Sequence, residues 1–247
     1  SENDSQDEEE AIPLKKSIPM LFKNKYWVIL ILFNLITQIT NSIAATSGTY
    51  YCKWIFGNDN LVALAGALGF FATLVGFVVS KPIIAKLGVR KTIDFGVLGA
   101  AFTALIRCII PTNFKVYIAV SVIGSFVQIP LMCLYGVLLA MVIDYNEYTY
   151  YNKMVGVSSG AIGIGTKIGS GVGSVILTAC LALGAYNPDL EVATTSMRYA
   201  IYAFSNYLPL IINLGLFVLF RFFDLEEKLP AIHEELARRR SQKSTEQ

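Results

Sequence analysis

Lys167 is a cation in the middle of a glycine-rich apolar run, and no carboxylate lies at a comparable depth in the apolar runs of this chain. A lysine at the centre of a membrane costs about 2.5–3.5 kcal/mol on insertion scales, so it persists where it faces a protein interior or a wet cavity. All 18 acidic residues fall in the tails, in connecting segments or at the ends of apolar runs. The partner charge of Lys167 must come from a substrate, an anion or protein outside this chain, which points towards transport.

Amide side chains that could bind a neutral polyol form a stripe in the first apolar run. Asn34, Gln38 and Asn41 are separated by four and three residues, a spacing that places them on one helical face. Each amide offers donors and acceptors, as sugar hydroxyls require. Because lipid cannot satisfy amides, the stripe either lines a cavity or joins neighbouring helices through hydrogen bonds.

Gln128 and Met132 lie four residues apart on one face of a later apolar run, on either side of Pro130. Proline removes a backbone donor from a helix and usually bends it. The bend either exposes backbone carbonyls to a ligand or serves helix packing. We include Gln128 and Met132 in the predicted binding site.

The run around Lys167 has two distinct faces. Gly165, Gly169 and Gly173 recur every four residues, as in helices that approach a neighbour closely. A second, polar face contains Ser159, Gly163, Thr166, Lys167, Ser170, Ser174 and Thr178. We expect the glycine face to pack tightly and the polar face to line a cavity, with Gly163, Thr166 and Lys167 at the binding site. The alternative is a structural lysine paired with a carboxylate or a helix end.

The composition is that of a membrane protein, with 54% hydrophobic and only 15% charged residues. Six apolar stretches are long enough to cross the hydrocarbon core as helices. They cover approximately residues 26–47, 60–80, 92–111, 115–143, 155–184 and 198–222. We predict an all-α membrane protein with a six-helix transmembrane bundle over 26–222, in which the last helix is a peripheral support.

The placement of lysine and arginine predicts the orientation. With the amino terminus inside, fifteen of the 20 basic residues lie on the cytoplasmic side, three outside and two, Arg107 and Lys167, within spans. We therefore expect a multi-pass protein of the cell membrane with both termini cytoplasmic, and an Arg107 that snorkels to the outer boundary. Residues 1–25 are predicted to be a cytoplasmic linker between two membrane halves, or else an ordinary acidic tail. Residues 223–247 are predicted to form an amphipathic cytoplasmic tail.

The chain lacks the residues that several other classes of function require. The chain has no nucleotide-binding loop of the Walker type. Its only histidine, His233, lies in the tail, which argues against a serine–histidine relay or a zinc centre within the membrane. The net charge of +2 leaves no basic face for nucleic acid. We expect no enzyme, no catalytic residue, no metal site, no cofactor and no nucleic-acid partner.

A longer motif resembles a known family. The segment 140–153, AMVIDYNEYTYYNK, is followed by Gly156 and then by the segment 166–169, TKIG. Together they resemble the glycoside–pentoside–hexuronide:cation symporters, the melibiose-permease branch of the major facilitator superfamily. The basic stretch 82–91, PIIAKLGVRK, also looks like the loop after the eighth helix of that family. The similarity covers nearly all of the chain but only the C-terminal half of the family's fold.

The resemblance implies a transporter in which this chain is one half of the fold and a sugar site lies between two six-helix bundles. The coupling cation, sodium or a proton, would be bound mainly by carboxylates of the N-terminal half, which Lys167 would face. Asp144 and Glu147 would join basic residues of that half in an inward gate. The chain departs from the family near Met132, where the melibiose permeases have a tryptophan that stacks on the sugar.

We therefore expect a secondary active transporter that moves a sugar or glycoside with a cation by alternating access. The alternative from another class is a six-helix membrane scaffold, a half-size protein that assembles with itself through the glycine face and transports nothing alone. A membrane-embedded enzyme is disfavoured because the sequence has no credible catalytic cluster. Alone, the half would expose its cavity face, so transport requires pairing.

Overall fold

The computed structural model describes residues 13–245, and all regular structure within them is helical. The helices are α1 (Leu14–Lys23), α2 (Lys25–Trp54), α3 (Leu61–Ile109), α4 (Phe114–Tyr150), α5 (Val155–Leu183), α6 (Thr195–Tyr202), α7 (Leu208–Phe220) and α8 (Leu225–Thr245). A π-helical turn, Ala203–Tyr207, joins α6 to α7. Residues 1–12 of the predicted linker lie outside the described residues.

Five helical stretches in the described part of the chain are long and apolar enough to cross a membrane. They are α2, α3, α4, α5 and the stretch that begins at Thr195 and includes α7. The chain is thus an all-helical, multi-pass membrane protein, as its composition predicted. α3 has 49 residues. A straight helix of that length would extend about 70 Å, more than twice the hydrocarbon thickness of about 30 Å.

α3 is interrupted at Gly88, where φ is 75° and ψ is 176°. Glycine adopts this backbone conformation readily because it has no Cβ atom. Beyond the break, the backbone N–H groups of Val89 and Arg90 donate to the carboxylate oxygens of Glu226 at 3.1 and 2.9 Å. The acidic side chain satisfies donors that the start of a helix leaves free. Gly88 therefore divides α3 into an earlier and a later segment.

Some helices extend beyond the ends of the predicted apolar runs, because polar residues continue the helix. α2 extends to Trp54 and α4 to Tyr150, whereas the apolar patterns predicted ends at 47 and 143. The runs predicted at 60–80 and 92–111 fall on the two sides of the break in α3. Apolarity marks the part of a helix that suits lipid, and helical hydrogen bonding continues beyond it.

α5 packs against α2 through its glycine face, as the four-residue spacing predicted. A Cβ atom on Gly169 would lie 2.7 Å from the backbone oxygen of Leu35, and one on Gly173 would lie 2.7 Å from that of Ile39. These distances leave no room for any side chain. Glycine therefore allows the two backbones to approach closely.

α8 packs across one end of the bundle, which we call the tail end. The start of α2, the break in α3, the end of α4 and the start of α5 lie at this end. Ile232 and Leu236 of α8 are buried there. Asp224, just before α8, pairs with Lys228 at 2.6 Å and with Lys25 at 2.8 Å. Hydrogen bonds from Lys228 and then Lys25 hold the pKa of Asp224 well below its usual range.

Candidate substrate cavity

A cavity of ≈ 350 Å³ opens between α2, α3, α4, α7 and the π-turn, in the part of the bundle away from α8. This volume is within the range of about 300–1,000 Å³ that is typical of small-molecule sites. Its polar lining consists of Thr40, Asn41, Ser47, Thr49, Thr103, Arg107, Tyr117, Ser121, Ser125, Gln128, Ser205 and Asn213. No acidic side chain within residues 13–245 belongs to this lining. The cavity therefore offers amides, hydroxyls and one cation to a ligand.

Two of the sequence-predicted site residues, Asn41 and Gln128, line this cavity. Asn41 is exposed and Gln128 is half-buried. A smaller cleft of ≈ 30 Å³ adjoins the cavity, shares both amides and is also lined by Met132. The two amides approach the same space from α2 and α4, so they can donate to and accept from a polyol between them.

Arg107 brings positive charge into the cavity, whereas the sequence predicted that it snorkels outward. Its guanidinium carbon lies 5.1 Å from the centre of the Tyr117 ring, a cation–π contact. Its Nε atom is buried without a hydrogen-bond partner among the described residues. The aromatic face offers the cation an interior position, which a single sequence does not reveal because Tyr117 belongs to a different helix.

The other amides of the stripe, Asn34 and Gln38, lie at the contact between α2 and α5. The buried Asn34 side chain donates to the backbone oxygen of Ile162 at 3.0 Å and to Thr166 Oγ1 at 3.3 Å. Gln38 packs against the glycine face of α5. The sequence left two roles open for this stripe, and the structure divides them: Asn34 joins helices and Asn41 lines the cavity.

Lys167 lies on a face of α5 that points away from α2. Its neighbour two residues on, Gly169, contacts α2, and a two-residue step turns a helix by about 200°. Lys167 and Gly163 are both exposed. Lys167 has no ion pair or hydrogen bond within residues 13–245, so the alternative of a lysine paired inside this chain finds no partner there. No α5 residue lines the 350 Å³ cavity.

The predicted gate carboxylates, Asp144 and Glu147, contact the tail helix. His233 Nε2 lies 2.9 Å from Asp144 Oδ2, and Arg240 donates to both oxygens of Glu147 at 3.0 Å. Arg239 also donates to the backbone oxygen of residue 148. Partly exposed pairs of this kind contribute roughly 0–1 kcal/mol each. They hold α8 against the end of α4, and the predicted contacts with another half lie outside this chain.

The last span contributes to the cavity, although its sequence predicted a peripheral support. Ser205, in the π-turn, and Asn213 both line the cavity. The Ser205 hydroxyl lies 2.6 Å from the hydroxyl of Ser47, and Asn206 donates to the Tyr51 hydroxyl at 3.0 Å. A π-turn changes the helical repeat and hence the direction of the side chains beyond it. In the sequence, the only indication that this span lines a cavity is a set of isolated polar residues in an apolar run.

Apolar helices around a polar cavity are compatible with a membrane transporter, whose substrate site lies among spanning helices. The chain matches the family model described as MFS/sugar transport protein over residues 1–227. It therefore belongs to this family of the major facilitator superfamily, as the motif at 140–153 indicated. The family consists of transporters and not of enzymes, in agreement with the prediction from the sequence.

Three curated relatives are similar to this chain. YagG of Escherichia coli strain K12, a predicted glycoside/cation symporter, is 19% identical over 92% of the chain and 50% of its own length. The isoprimeverose transporter of Lactiplantibacillus pentosus is 28% identical over 71% of the chain and 37% of its own length. The uncharacterized symporter YnaJ of Bacillus subtilis strain 168 is 23% identical over 90% of the chain and 48% of its own length. The chain spans about half the length, or less, of these relatives.

Proposed function

We propose that this chain is the C-terminal half of a secondary active transporter that moves a sugar or glycoside across the cell membrane with sodium or a proton. The family match, the half-length similarity to symporters and the motif at 140–153 support this assignment. The break at Gly88 makes two spans of α3, so six spans form one half of a major facilitator fold. The partner is an N-terminal six-helix half of the same transporter.

Both termini of the chain are cytoplasmic in this proposal. Basic residues concentrate at the tail end, where α2 begins and α8 packs, and such residues remain on the cytoplasmic side of a membrane. The cavity then lies towards the outer part of the bundle. Alternating access exposes it to the two sides in turn.

The sugar binds through the amides of Asn41 and Gln128. Both face the same cavity from different helices, and amides suit neutral polyols because each has donors and acceptors. Met132, in the adjoining cleft, supplies an apolar surface for the ring of the sugar. Asn34 and Thr166 act indirectly, since their hydrogen bond fixes α5 against α2.

Coupling depends on Lys167. Its ammonium group is exposed and has no partner within residues 13–245, and this observation carries the proposal. A cation within a span requires a partner or water. The ammonium pairs with carboxylates of the N-terminal half when these hold neither sodium nor a proton. Occupation of the carboxylates by the coupling cation weakens this attraction and favours the other conformation. Gly163, one turn away from Lys167, leaves room for the carboxylates of the N-terminal half to approach the ammonium group.

Asp144 and Glu147 form part of the inward gate together with α8. The contact of Asp144 with His233 and the ion pair of Glu147 with Arg240 fix the tail helix at the cytoplasmic end of α4. Exchange of these partners for basic residues of the other half closes the inner side. Because the pairs are partly exposed, this exchange costs little free energy.

A self-assembling half-size scaffold is the alternative, and the contact between α2 and α5 weighs against it. That alternative used Gly165, Gly169 and Gly173 for pairing between copies. Within one chain, α2 already packs against the same three glycines, and Asn34 lies close to Gly165. The glycine face is therefore not free for a second copy.

Uptake by the complete transporter tests the proposal. Vesicles containing the full-length protein are supplied with a panel of labelled glycosides under a sodium gradient, a proton gradient or neither, and vesicles without the protein serve as the control. We expect at least one glycoside to accumulate under one gradient only. Absence of gradient-driven accumulation across the panel, or accumulation by this chain alone, would contradict the proposal.

A further inference from the structure

The short helix α1 has an apolar flank that the bundle does not cover. Leu21 is fully buried against the bundle, whereas Phe22 is 65% exposed and Ile18 is 46% exposed. Residues 18 and 22 are four apart and share a face of the helix. α1 therefore contacts the protein along one flank and presents an isoleucine and a phenylalanine on the adjacent flank.

This flank lies next to the start of the membrane-spanning helix α2. The ring of Phe22 meets that of Trp27, in the first turn of α2, edge-on at 5.3 Å between centroids. Aromatic side chains at the ends of spans lie at the level of the lipid headgroups. Phe22 therefore lies beside the first turn of a membrane-spanning helix.

The charges of α1 match an anionic surface. Lys15, Lys16 and Lys23 are all exposed, and none has an ion pair among the described residues. No acidic residue lies within Leu14–Lys23. Helices with a basic face and an apolar face bind in the plane of a membrane surface, and their affinity rises with anionic lipid.

We propose that α1 is an interfacial anchor that binds the anionic lipid surface of the membrane that the bundle crosses. Phe22 and Ile18 enter the acyl boundary, and the three lysines contact lipid phosphates. The anchor holds the segment before α2 flat against the bilayer, and the Asn24 side chain then begins α2 at a fixed position by accepting from two of its backbone N–H groups. This inference depends on the membrane location of the chain and not on sugar transport.

Depth-dependent quenching tests the anchor in the complete protein in vesicles. The native cysteines, which within this chain are Cys52, Cys108, Cys133 and Cys180, are first replaced by alanine. A bimane probe is then attached through Phe22→Cys, or for comparison through Lys16→Cys, which is exposed and lies about 120° around α1 from position 22. Vesicles contain phosphatidylethanolamine and phosphatidylglycerol, with a lipid brominated near the headgroup as the membrane quencher and iodide as the aqueous quencher.

We expect the probe at position 22 to be quenched by the brominated lipid at least about twofold more than the probe at position 16, with the reverse order for iodide. Equal iodide quenching at the two positions would place α1 in water and overturn the proposal. Protection of position 22 from both quenchers would mean that protein, such as another half, covers the flank, and would also overturn it.

A second comparison tests the role of charge. Lys15, Lys16 and Lys23 are changed to glutamine together, with the probe at position 22. Because these side chains are exposed, the bundle folds as before. We expect bromolipid quenching to fall to the level measured in vesicles of phosphatidylcholine alone. Quenching that does not change with either the substitutions or the lipid charge would overturn the proposed binding to anionic lipid.

Discussion

Asn24 and Asn146 are joined side chain to side chain, with Nδ2 of Asn24 donating to Oδ1 of Asn146 at 2.8 Å. Both residues are buried and they lie 122 positions apart in the chain. Asn24 also accepts from the backbone N–H groups of Tyr26 and Trp27, and Asn146 donates to Ser158. One chain of amides therefore links the start of α2, the end of α4 and the start of α5.

Asn146→Ala tests this link. Removal of one partner leaves the buried amide of Asn24 without an acceptor, which costs about 1–3 kcal/mol. We expect a lower midpoint of thermal unfolding for the protein in detergent. Thr112→Ala, at an exposed turn on the opposite end, is the control and should leave the midpoint unchanged. Equal midpoints for both variants would show that the amide link does not stabilise the bundle.

Gly169 and Gly171 make a matched pair for the contact between α2 and α5. A Cβ atom on Gly169 would clash with the backbone of Leu35, whereas one on Gly171 would meet nothing within 4 Å. Gly169→Ala should therefore cost roughly 1–3 kcal/mol of stability through overpacking. Gly171→Ala should be neutral or stabilising by up to about 1 kcal/mol, because alanine favours a helix. The same detergent unfolding assay measures both variants, and a reversed order would contradict the observed packing.

Periodicity explains why this contact, unlike the break in α3, was predictable from the sequence. Small residues at four-residue spacing mark a face that another helix can approach, whatever that helix is. The break at Gly88 depends on one φ angle and on a carboxylate 138 positions later, Glu226. Neither is a local property of the sequence around residue 88, so the pattern gave two apolar runs without the capped junction between them.

Substitutions at Asn41 and Asn34 should have different effects, because we propose that Asn41 binds the ligand, whereas Asn34 joins two helices. Asn41→Ala and Gln128→Ala should each weaken glycoside binding by about two- to tenfold, the effect of one or two lost hydrogen bonds. Asn34→Ala should lower stability instead, because its amide donates to α5. Titration of the complete transporter with a transported glycoside measures the affinity. A loss of affinity for Asn34→Ala that exceeds both other losses would contradict this division.

The division of the amide stripe could not be predicted from spacing alone. Asn34 and Asn41 are two turns apart and share a face, yet the side chain of Asn34 donates to α5, whereas that of Asn41 lines the cavity. Which helix crosses where is a tertiary property. Arg107 illustrates the same limit, since its position depends on the ring of Tyr117 on another helix.

Docking of α8 should depend on pH through Asp224. Its pKa is lowered from the ordinary value of 3.8 by hydrogen bonds from Lys228 and then Lys25. Because the folded-state pKa is the lower one, these pairs stabilise docking above pH 3.8, and that stabilisation is lost as the pH falls through the lowered value. The carboxylate is partly exposed, so the stabilisation is at most about 1 kcal/mol.

Digestion by pepsin, which is active in acid, measures this dependence. Asp224→Asn removes the charge, so we expect cleavage within α8 to begin at a higher pH than in the unaltered protein. Asp189→Asn, in an exposed loop at the opposite end, is the control and should leave the profile unchanged. Identical profiles for all three proteins would show that the ion pairs of Asp224 do not hold α8 in place.

Cation-coupled accumulation by Lys167→Cys in the complete transporter tests the central claim most directly. Lys115→Cys, exposed at the start of α4, is the matched control for the loss of one lysine. We predict that Lys167→Cys reaches the membrane in normal amounts but no longer accumulates glycoside under the sodium or proton gradient, whereas Lys115→Cys accumulates it normally. Unchanged gradient-driven accumulation by Lys167→Cys would contradict the account.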